Sequence, residues 1–75
     1  MNYTISFYCK KSKHPEIFNK NCETLGFDYY LEFRDQTPII TTNIGGAHEI
    51  FKLMCTIEEK CSTVVEHLGY TKGLI

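Results

Sequence analysis

The chain has 75 residues, room for one domain only. At 43% hydrophobic and 13% aromatic it is too apolar for a disordered segment, though a chain this short buries only roughly 60% of its unfolded surface. The formal net charge is −1, and the single basic cluster is Lys10, Lys11 and Lys13 beside His14, which argues against nucleic-acid binding over a broad basic face.

The opening residues Met-Asn-Tyr-Thr-Ile-Ser show no basic region followed by an apolar run, so no signal peptide is readable. No apolar stretch approaches the ~20 residues that span a bilayer, so no membrane partner is expected. Four cysteines, Cys9, Cys22, Cys55 and Cys61, raise the question of a disulfide scaffold. The long amphipathic segments speak against one and favour a reducing, cytoplasmic setting.

Residues 3–9 alternate Tyr3, Ile5, Phe7 and Cys9 against Thr4, Ser6 and Tyr8, the period of a strand. Lys10–His14 breaks it. Pro15 suits the first turn of a helix, with Ser12 a candidate cap. Ile17, Phe18, Asn21, Cys22 and Leu25 recur at helical spacing before Gly26, so a helix is predicted over 15–25. Phe27–Arg34 alternates again as a second strand. Asp35-Gln36-Thr37 is a turn, and Pro38–Thr42 a third strand with proline tolerated at its start. Asn43-Ile44-Gly45-Gly46 leads into a long helix whose stripe is Ile50, Leu53, Met54, Ile57, Cys61, Val64, Val65 and Leu68. Gly69 ends it, and Tyr70–Ile75 is a short tail. The order is β-α-β-β-α, an α+β fold with a small mixed sheet and two helices.

Thr37-Pro38-Ile39-Ile40, followed by Ile44-Gly45-Gly46, resembles the glutaredoxins, as does a helix closing on Leu25-Gly26 between two strands. The resemblance covers about residues 3–54 through short motifs and implies a minimal thioredoxin-like fold. It implies a cis bond before Pro38 and a groove for glutathione or a peptide. Its lining would be Thr37, Pro38, Gly45, Gly46, Ala47 and His48. There Thr37 would offer its backbone as an added strand, and the helix start would receive a carboxylate. It further implies that strands 3–9 and 27–33 run parallel through a right-handed crossover.

The departures from that family bear on function. The helix between the second strand and the proline is missing, the last strand is reduced or absent, and the final helix is long. An ungapped alignment puts Ser12-Lys13-His14-Pro15 where the family carries Cys-x-x-Cys, and serine cannot perform dithiol exchange. A second register reads Cys9-Lys10-Lys11-Ser12 as a monothiol Cys-x-x-Ser site, with the lysines favouring a Cys9 thiolate. Against it, Cys9 also fits the inward-facing end of a strand.

Two functions follow. The first is a redox-inactive binding module that docks a protein, a peptide or a glutathione-like ligand, using Ser12, Lys13 and His14 with the groove residues. Its size fits an accessory or inhibitory protein of the kind phage-like genomes carry. The second is a glutathione-dependent monothiol oxidoreductase with Cys9 as nucleophile. No metal is expected: Cys55 and Cys61 point apart on a helix, and neither Cys9 with His14 nor Cys61 with His67 has a second ligand pair. Oligomeric state is not readable, because the long amphipathic helix has two homes, its own sheet or a second copy.

Overall fold

Alternation at the start of the chain becomes strand β1 (Tyr3–Cys9), whose Ile5, Phe7 and Cys9 face inward and are no more than 1% exposed. The computed structural model of the chain describes residues 3–72. Pro15 opens helix α1 (Pro15–Cys22) in its first turn, where its missing N–H removes no helical bond. This helix stops short of the expected residue 25. Leu25 N–H still donates to the Cys22 carbonyl at 3.0 Å, and Gly26 turns the chain at φ 83°, a value glycine adopts without strain.

Strands β2 (Tyr30–Arg34) and β3 (Thr37–Ile44) form a tight hairpin. Its two turn residues, Asp35 and Gln36, have φ of 55° and 67°, matching a type I′ turn whose twist suits the flanking strands. The Thr37–Pro38 bond is trans, not cis as the resemblance implied. Pro38 fits an interior strand because of where its nitrogen points. The pair beside a two-residue turn, Arg34 with Thr37, exchanges hydrogen bonds and the next, Phe33 with Pro38, does not. The proline nitrogen therefore faces β1, whose pairing with β3 ends one residue away at Tyr8–Ile39.

Helix α2 (His48–Lys60) is shorter than its apolar stripe suggested, and a further strand, β4 (Val65–Lys72), follows it. Ser62 at φ 52° ends the helix, and Thr63 N–H donates to the Glu58 carbonyl at 3.2 Å in the manner of a Schellman cap. The β-branched run Thr63-Val64-Val65 then favours extension. Residues 70–72 of the expected tail belong to β4, and residues 73–75 lie outside the described residues.

The sheet order is β2-β3-β1-β4, and every neighbouring pair is antiparallel. Strands β1 and β2 thus share a direction with β3 inserted between them, and β3 and β4 share the other around β1. These are two interlocked split β-α-β units in an α+β domain of one sheet and two helices. The two-residue turn fixes one step of this order, since it leaves β3 no place except beside β2.

Both helices cover one face. Phe18, Cys22 and Leu25 from the α1 region and Ile57 and Cys61 from the α2 region close over Ile5, Phe7, Cys9, Ile40 and Ile44 in a single core. Fully burying a residue such as Phe7 contributes about 2–3 kcal/mol. The opposite face carries no helix; Ile39 is buried on it, and beside it Ser6 Oγ lies 2.8 Å from Thr41 Oγ1 and Thr4 Oγ1 donates to Asn43 Oδ1 at 3.1 Å. No helix among the described residues is long and apolar enough to cross a membrane.

Candidate functional site

Strand β3 separates the residues expected to share a groove. Thr37 and Pro38 begin it, whereas Gly45, Gly46, Ala47 and His48 follow its end. Seven strand steps amount to about 24 Å, so the two sets line no common surface. Pro38 is also fully buried. At the start of α2 the Gly45 N–H already has a partner, donating to Glu49 Oε2 at 2.7 Å. An anion arriving there would meet that carboxylate.

Ser12, Lys13 and His14 come together in the loop that leaves the end of β1. Backbone bonds hold this loop on two sides: Lys10 N–H donates to the Val64 carbonyl and Ser12 N–H to the Gln36 carbonyl, each at 2.9 Å. Within the loop, His14 N–H donates to Ser12 Oγ at 3.2 Å, so the expected capping serine bonds one residue ahead of the helix. His14 itself occupies the N-cap of α1 without a side-chain cap bond.

Between this loop, α1 and the α2–β4 connection lies a cleft of about 460 Å³. Three lysines, Lys10, Lys11 and Lys13, form its rim with His14, and Ser62 and Thr63 face it from the α2–β4 connection. Ile17 and Phe18 supply the apolar wall, with Cys61 beside them. No aspartate or glutamate lines the cleft, and the one salt bridge among the described residues, Arg34 with Glu32 at 3.2 Å, lies elsewhere. Among the described residues the lysines therefore have no carboxylate partner.

Ser62 and Thr63 escaped sequence reasoning because they were placed inside a helix. Ile17 shares the helical spacing of Phe18, Cys22 and Leu25 yet is 60% exposed. A narrower stripe, Phe18, Cys22 and Leu25 at spacings of four and three, would have left Ile17 outside.

Cys9 does not reach this cleft with an available thiolate. It is 1% exposed, its Sγ lies 3.9 Å from the Phe7 carbonyl, and burial, helped by nearby Cys61, Glu58 and Glu66, pushes its pKa up to about 12. The lysines beside it in sequence do not overcome that desolvation. Cys22 and Cys61 are buried in the core and Cys55 is exposed. Among the described residues, no group of three or more His, Cys, Asp or Glu is placed to hold a metal ion. The cleft can attract an anion and shelter a small apolar group beside it. Comparison of the chain with family models, with curated proteins and with solved structures finds no match.

Proposed function

We propose that this protein is a binding module that docks an acidic, partly apolar segment of a partner protein in the cleft formed by residues 10–14, α1 and the α2–β4 connection. The observation that carries this reading is a cleft with three lysines and a histidine at its rim, no carboxylate in its lining, and an exposed isoleucine beside them. It retains the peptide-docking half of the glutaredoxin resemblance and moves the docking place away from Pro38 and Gly45–His48. Glutathione, a small anionic peptide without a large apolar side chain, offers only the acidic half of this ligand class and is the weaker ligand. The buried Cys9 thiol takes no part, and the four free cysteines support a reducing, cytoplasmic setting.

The energetics favour modest affinity. An exposed lysine–carboxylate contact contributes about 0.2–1 kcal/mol, so three give at most about 3 kcal/mol. Covering Ile17 adds roughly 1–2 kcal/mol. Association should weaken with salt, since the screening length shrinks from about 10 Å at 0.1 M to about 3 Å at 1 M.

The test is an amide-shift titration of the ¹⁵N-labelled protein with an acidic peptide carrying one leucine, beside the same peptide with glutamine for glutamate. Glutathione and an oligothymidylate are run separately. The acidic peptide should shift amides of Lys10–Ile17 and Ser62–Thr63. Reversing Lys10 and Lys13 to glutamate should weaken it at least tenfold, which is about 1.4 kcal/mol. Equal binding of the glutamine peptide, shifts confined to Gly45–His48, or tighter binding of the oligothymidylate would overturn the reading.

A further inference from the structure

One cluster of reactive groups lies behind the docking cleft. Cys9, Cys22 and Cys61 all belong to the core. Cys22 is the last residue of α1 and Cys61 caps α2, and their sulfurs lie 3.4 Å apart. A disulfide of about 2.05 Å requires an approach of about 1.4 Å, a side-chain adjustment between groups already in contact. Cys61 also lines the cleft, which gives a small oxidant a route to one member of the pair.

We propose that Cys22 and Cys61 are a dithiol that a peroxide converts into a reversible internal disulfide, tying the end of α1 to the end of α2. Access divides their roles: Cys61 lines the cleft, whereas Cys22 is fully buried behind it. Cys61 is therefore the attacking sulfur and Cys22 the resolving one. The Cys61 thiolate attacks one oxygen of hydrogen peroxide, the O–O bond breaks, and the departing hydroxide takes a proton and leaves as water. The Cys22 sulfur then attacks Cys61 Sγ and displaces the sulfenic oxygen as a second water. Two thiols and one hydrogen peroxide give one disulfide and two waters, and the sulfurs supply the two electrons. A dithiol reductant reverses the change by exchange.

The other cysteines are poor partners. Cys9 Sγ lies against the Phe7 carbonyl of its own strand, and Cys55 is exposed, where it would crosslink two molecules instead. The Cys22–Cys61 bond closes a long stretch, the two residues being 39 apart in sequence. Closing a loop of that size restricts the unfolded chain enough to raise Tm on the order of 10 °C or more.

The test treats the Cys55→Ser protein, which lacks the exposed thiol, with one equivalent of hydrogen peroxide under native conditions. Intact mass should fall by about 2 Da, the mass of two hydrogens. Peptide mapping should join 22 to 61, Tm should rise, and dithiothreitol should restore both mass and Tm. Adding Cys22→Ser, or Cys22→Ala if serine unfolds the chain, should abolish the crosslink. A crosslink to Cys9, a gain of oxygen without crosslinking, or oxidation no faster than global unfolding would overturn the proposal.

Discussion

Alkaline pH should destabilise this protein through Cys9 in particular. Its pKa rises from 9.0 in the free thiol to about 12 in the fold, chiefly by burial. Below pH 9 both folded and unfolded chains keep the proton, and the full stability is present. Between pH 9 and about 12 the unfolded chain releases it while the folded one does not, so stability falls by up to 1.36 kcal/mol per pH unit. At pH 10.5 the loss relative to neutral pH is about 2 kcal/mol. A domain of this length has roughly 4–11 kcal/mol in total, so the loss is a large share. Burial also pushes up Tyr29, and Cys22 is raised by its bond to Cys61. The slope due to Cys9 must therefore be taken as a difference. Urea unfolding with a phosphine reductant, at half-unit steps from pH 8 to 10.5, would compare the protein with its Cys9→Ala variant. The cavity left by the missing sulfur lowers the variant's stability by a constant amount and does not change its slope. The parent should lose about 2 kcal/mol more than the variant over this range. Parallel curves would mean that Cys9 ionises as readily folded as unfolded, and the argument from its burial would fail.

Two further outcomes follow from local geometry. Gln36→Gly should stabilise the protein by up to about 1 kcal/mol in urea unfolding, because Gln36 sits at φ 67° and glycine removes that left-handed strain at some cost in unfolded-state entropy; a loss of stability would contradict the type I′ turn. Glu58→Ala should cost about 1–2 kcal/mol and speed amide exchange at Val65, since Glu58 Oε2 accepts the Val65 N–H at 2.8 Å in a half-buried position; unchanged exchange at that amide would show that the contact does not anchor β4.

Local pattern revealed those elements whose signal had one interpretation. The alternation of Ile5, Phe7 and Cys9 fits nothing but a strand, and Pro15 after a polar loop marks a helix start. Strand β4 was hidden because Cys61, Val64, Val65 and Leu68 fit a 3.6-residue repeat as an extension of α2. Periodicity could not separate the two readings; the β-branched residues 63–65 and the left-handed Ser62 could. The extra strand lies at the sheet edge, where Leu68 and Tyr70 are 40% and 53% exposed, so burial did not sharpen its pattern. The site was half legible for a related reason. Lys10–His14 stood out as the basic cluster, but its facing wall lay in the segment taken for helix. The resemblance also puts Pro38 and Gly45 in one groove, although the third strand that lies between them holds the two apart.

How the basic loop is held bears on what it can bind. Three flexible lysines on a mobile loop would have to order both backbone and side chains around a ligand, at roughly 1–2 kcal/mol for each backbone residue fixed. Here the backbone is already fixed. Lys10 continues directly from the central strand β1, its N–H bonded to Val64, and Ser12 is bonded to the β2–β3 turn at Gln36. The loop is thus pinned between the α2–β4 connection and the β2–β3 turn. Only the side chains remain to be ordered, each costing about 0.5–1.5 kcal/mol on binding. That cost is close to the gain from one exposed ion pair, so the lysines alone give little net affinity. The apolar contact at Ile17 tips the balance, and a ligand needs both an acidic group and a hydrophobic one. A purely acidic peptide should therefore bind this cleft more weakly than one that also carries a leucine.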